Sequence, residues 1–103
     1  MILHIATFTW VDKVTPSDVE GLTADLRAMA KQIPELRTYH CGESLRLRPG
    51  ADFGVAAVVD DEAGLTAYLD SDPHKAVYTK WLSWMIDTRQ AAQLALPADG
   101  ASL

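Results

Sequence analysis

Cysteine is nearly absent: Cys41 stands alone in 103 residues. No disulfide can close within the chain, so stability must come from packing, and a single thiol suits a reducing compartment. Basic residues are also sparse, nine Lys and Arg against 14 Asp and Glu, for a formal net charge of -5 at pH 7. They are scattered and form no stripe, which argues against the phosphate-backbone grip of nucleic-acid binding. No apolar run approaches the roughly 20 residues that a helix needs to cross a bilayer. The opening "MILHIATFTW" has neither the basic start nor the cleavage site of a signal peptide. Repeats, low-complexity tracts and internal linkers are missing, as are CxxC, HExxH, GxGxxG and phosphate-loop patterns. These absences predict a cytoplasmic protein without a nucleic-acid or membrane partner, and with no metal or cofactor.

What is present is the ordinary mixture of a globular chain, 49% hydrophobic and 22% charged. One domain of this length buries roughly 65% of its unfolded surface, a core with little margin. In residues 1–10 the alternate positions fall into two sets, Ile2, His4, Ala6, Phe8, Trp10 and Leu3, Ile5, Thr7, Thr9. Neither set is strongly polar, which predicts a strand covered in part on both faces. A helix follows, capped by Thr15, with Pro16 in its first position and Asp18 near its positive end. Its apolar stripe is Val19, Leu22, Leu26, Met29 and Ile33, and Pro34 is expected to end it. Residues 37–47 read as a weaker strand, "RPGAD" as a turn, and "FGVAAVVD" as a central strand.

"DEAGLTAYLDS" predicts a short helix with Leu65, Tyr68 and Leu69 on one side. A second helical segment is expected from Pro73, capped by Asp72, carrying Val77, Trp81, Trp84 and Met85. "RQAAQLAL" completes the series as a strand with Ala92, Leu94 and Leu96 together. Residues 1–96 thus form one domain and 97–103 a disordered tail. Strand, helix, strand, strand, helix pair, strand makes an α+β fold, one sheet with helices on one face. Strands apolar on both faces then call for a homodimer that packs the open sheet faces together.

His74, at the second position of its helix, meets a dipole that disfavours positive charge, and a neutral imidazole can accept a proton. The alternative is a local role, pairing with Asp70 or Asp72 or stacking on Tyr78. His4, among apolar neighbours, is either a hydrogen-bonded core residue or half of a site. Tyr68 could point its hydroxyl into the same space. Two imidazoles and a phenol around an apolar hollow suit proton abstraction beside a carbonyl, one group taking the proton and another holding the enolate oxygen. Phe8, Met29, Phe53, Trp81 and Trp84 are the expected substrate-contacting walls. In "YHCG" the adjacent His40 and Cys41 point to opposite faces, so they form no nucleophile and base pair.

The first-strand histidine, "TPSDVEGL", "IPEL" and above all "YLDSDPHKAVYTKW" resemble the stress-responsive A/B-barrel (Dabb) domain over about residues 1–96. The resemblance implies a ferredoxin-like four-stranded antiparallel sheet, paired into a dimeric α/β barrel. It also implies, from plant members of the olivetolic acid cyclase type, a cofactor-independent lyase that closes a polyketide-like chain by aldol-type condensation. The catalytic residues of that type map onto His4, His74 and Tyr68. The family's usual run of Tyr, two residues, His, Pro, any residue, His here reads "YLDSDPH": Ser71 replaces the first histidine and the proline moves to 73. Competing expectations are a cofactor-free monooxygenase of quinol-type polyketides and a non-catalytic, stress-responsive dimer that binds a small hydrophobic ligand.

Overall fold

The apolar alternation of the first ten residues becomes a central strand, β1 (Ile2–Trp10), with His4, Ala6 and Phe8 buried on one face. The computed structural model describes residues 1–97. The expected disordered tail therefore lies outside the described residues except for Pro97. After β1 come α1 (Pro16–Ala30), β2 (Thr38–Glu43), β3 (Phe53–Val59), α2 (Glu62–Leu69) and α3 (Asp72–Val77). A π-helical turn (Tyr78–Leu82), a short α4 (Ser83–Met85) and β4 (Ile86–Ala95) complete the chain. The strands form one antiparallel sheet in the order β2-β3-β1-β4, a ferredoxin-like arrangement in which β3 is central, as its two apolar faces predict. Among the described residues no helix is long and apolar enough to cross a membrane.

α1 begins where the sequence predicts. Thr15 accepts a hydrogen bond from the Asp18 N–H and donates its own N–H to the Asp18 carboxylate, a reciprocal cap. Val19, Leu22, Leu26 and Met29 are buried against the sheet. The helix stops at Ala30, ahead of the expected Pro34, because a residue before proline is disfavoured in helical geometry. Ile33 completes the buried stripe from the turn that follows.

Three other boundaries move. Ser71, not Asp72, caps α3: its hydroxyl accepts from the His74 N–H at 3.3 Å while donating to the Tyr68 carbonyl at 2.8 Å. A hydroxyl can do both, so this one group joins the end of α2 to the start of α3 and makes His74 the third helical residue. β2 ends at Glu43, short of Leu47, because Arg46 takes a left-handed backbone (φ 56°). β4 begins three residues before Arg89, where the pairing with β1 shifts at Thr9/Trp10 to match Trp10 with Ile86, and Leu96 falls just beyond it.

The helices cover β2, β3 and β1 but not the edge strand: Asp87–Ala95 of β4 is exposed throughout. On the sheet's open side Leu3, Ile5, Thr7 and Thr9 are only half-buried, and Leu94, paired with Leu3, is 48% exposed.

Candidate functional site

Where the helical layer stops short of β4, a hollow of about 240 Å³ remains between sheet and helices. Its floor is His4, Ala6 and Phe8 of β1 with Val55 of β3; α2 contributes Tyr68 and Leu69, and α3 contributes His74. The strand-borne and helix-borne histidines therefore reach the same cavity.

Tyr68 is the neighbour they share. Its ring lies edge-on to His4 at 6.2 Å between centroids and to His74 at 5.3 Å, at interplanar angles of 75° and 82°. The His74–Tyr68 contact takes the place of the stacking on Tyr78 that helix spacing allows. His4 is 7% exposed, and its Nδ1 lies 2.9 Å from the Gln93 side-chain nitrogen, which comes from the residue opposite on β4. A carboxamide N–H donated to Nδ1 leaves the imidazole proton on Nε2.

Electrostatics keep both imidazoles neutral. Burial lowers the pKa of His4 below the usual histidine value, and the Arg89 charge adds to the effect. Burial is also the first cause of the lowered pKa of His74, followed by His4; the Leu69 carbonyl and Asp70 oppose it. Desolvation thus does what was expected of the helix dipole, which is small in a six-residue helix. The Tyr68 hydroxyl is pushed up to about 12 by burial, so it remains a proton donor.

Four of the five expected wall residues lie elsewhere. Phe8 lines the cavity. Met29 and Phe53, 2% and 1% exposed, are enclosed in the core. The π-helical turn carries Trp81 toward α1, where its indole donates to Asp25 at 2.7 Å and its ring lies against Gly21. Trp84 donates to the Lys80 carbonyl at 3.0 Å.

In their place the cavity has Tyr39, Tyr78, Arg89 and Gln93. The last two share a parity with Ala91 on β4, opposite that of Leu94, so the other face of the strand read from "RQAAQLAL" could have found them. Tyr39 comes from β2, and its ring is edge-on to Tyr68 at 6.2 Å. The two phenols influence one another, yet the buried Tyr39 hydroxyl completes no hydrogen bond of acceptable geometry among the described residues. His40 is exposed and pairs with Ala56, so it faces away from the cavity.

The arrangement provides a neutral base, two further polar groups that can hold an oxygen, and apolar walls. It matches known proteins in fold more than in activity. Residues 2–94 match the family model of the Stress responsive A/B Barrel Domain (Dabb). A dimeric ferredoxin-like protein of unknown function from Thermobifida fusca is 42% identical, over 92% of this chain and 90% of that one, with a TM-score of 0.86. The hydroxynitrile lyase from Passiflora edulis is 12% identical over 94% of each chain, with a TM-score of 0.79. An antibiotic biosynthesis monooxygenase is 14% identical over 94% of this chain and 100% of that one, at 0.71. These last two likenesses concern the fold alone. No curated protein matches the sequence significantly.

Proposed function

This chain belongs to the stress-responsive A/B barrel family, and from that premise we propose that it is a cofactor-independent lyase closing a ring in a polyketide-like substrate by aldol-type condensation. The observation that supports this most is the convergence of His4, Tyr68 and His74 on one largely apolar hollow. His74 takes a proton from the carbon between two carbonyls, and the enolate oxygen is held by the Tyr68 hydroxyl or the His4 Nε2–H. The carbanion adds to a further carbonyl of the same molecule, five carbons along the chain, closing a six-membered ring through the new C–C bond, and the new alkoxide takes its proton from the His74 imidazolium. Proton and electron pairs balance without an oxidant or reductant.

The working unit is a homodimer. Several relatives are described as dimeric ferredoxin-like proteins, and the half-buried open face of the sheet is the surface through which two copies would pack.

A second reading, a cofactor-free monooxygenase of quinol-type substrates, draws support from the monooxygenase of like fold. The two separate in one assay with linear 1,3,5,7-tetraketones and with 3,5,7-trioxo acids beside their thioesters, followed by mass spectrometry, together with oxygen uptake with a hydroquinone. Ring closure above the buffer rate, reduced at least about a hundredfold in His74→Ala, is the expected result. Undiminished closure in that variant would refute the base assignment. Oxygen consumption without closure would move the protein to the second reading, and neither activity would leave a ligand-binding dimer.

A further inference from the structure

The cavity carries one permanent charge. Arg89 lies on the helix-side face of β4, opposite Phe8, at the flank that no helix covers. It belongs to none of the ion pairs among the described residues. No Asp or Glu lines the hollow, although the chain as a whole carries a net charge of -5. A lone cation at the mouth of a neutral, mostly apolar cavity is a recognition element for an anion, and a guanidinium fork matches a carboxylate bidentately. Its field already reaches the interior, since the Arg89 charge acts on both His4 and His74.

We infer that Arg89 anchors the carboxylate of an amphipathic small molecule whose apolar body enters the hollow toward Tyr68. This rests on the cavity being the substrate site proposed above, and it narrows the substrate class to free acids over neutral esters or amides. At about 240 Å³ the space lies below the roughly 300–1,000 Å³ of drug-sized pockets, so a single ring with a short tail is the fitting size. Gln93, two residues beyond Ala91 on the same face of β4, holds His4, and Arg89 enters no ion pair among the described residues.

The test is a pair of nearly isosteric probes, 4-butylbenzoate and 4-butylbenzamide, titrated into the full-length protein and followed by amide chemical shifts. The benzoate should bind wild type at least about tenfold more tightly than the benzamide. Arg89→Gln should abolish that difference with benzamide affinity retained, which also reports an intact fold. Arg89→Lys should restore part of it, as a point charge without the fork. Equal affinities in wild type, a preference that survives Arg89→Gln, or no detectable benzoate binding would each overturn the inference. His74→Ala separates this from the catalytic reading: it should suppress ring closure while leaving the acid preference in place.

Discussion

A histidine that has lost its water is a weak acid-binder, and both imidazoles of the cavity share that condition. Loss of activity on acidification should therefore begin lower than a free histidine would dictate: kcat/KM should fall only as pH drops through a value below 6.5, set by His74. Stability follows the same sign. With folded pKa values depressed, the unfolded chain binds more protons as pH falls below about 6.5, so the melting temperature should decline on acidification through that window and level off once the folded-state values are passed. Replacing both histidines by Gln should flatten the decline in a calorimetric pH series. Tyr39 offers a separate check. Its hydroxyl is buried without a well-aligned partner among the described residues, and such a group costs about 1–3 kcal/mol. Tyr39→Phe should leave thermal stability equal or higher, and a lower melting temperature would show that the hydroxyl is satisfied in solution. That His4, Tyr68 and His74 face one hollow was legible in the sequence because residue type and face are short-range properties. Met29, Phe53, Trp81 and Trp84 were misplaced because which large side chain meets a cavity depends on packing between elements.

Among the elements, the junction of α2 and α3 aims His74. One hydroxyl, on Ser71, closes the end of one helix and opens the next. Ser71→Ala should cost about 0.5–2 kcal/mol, the usual loss at an N-cap, measurable by urea denaturation. It should also lower turnover more than this small destabilisation explains, because His74 is the third residue of the helix that Ser71 caps. Helix starts were readable to within one residue, since caps and prolines are local signals. The π-helical turn at Tyr78–Leu82 was not, because nothing in "YTKWL" disfavours an ordinary helix. Its insertion turns Trp81 to Asp25 and Gly21 and leaves Tyr78 at the cavity, a departure of the kind often found at functional sites.

At the scale of the whole molecule, the sheet is a two-sided object with unequal covers. Helices bury one side; Leu3, Ile5 and Leu94 gather on the other. Leu94→Glu should yield a monomer by light scattering while the isolated fold survives, since that side chain is half exposed before any association. A wild-type protein monomeric at micromolar concentration would remove the dimer altogether. The architecture was legible because the strands are short apolar or β-branched runs set between turn signals and the long helix carries its stripe. Where the helical layer ends relative to β4 was not, since it is a property of the assembled layers.

That uncovered edge has an evolutionary consequence. Arg89 and Ala91 project from a margin with little packing of its own, so exchanges there disturb the interior least, whereas Gln93 is tied to His4. Selectivity for a new molecule could drift at these two positions while His4, Tyr68 and His74 behind them stay unchanged.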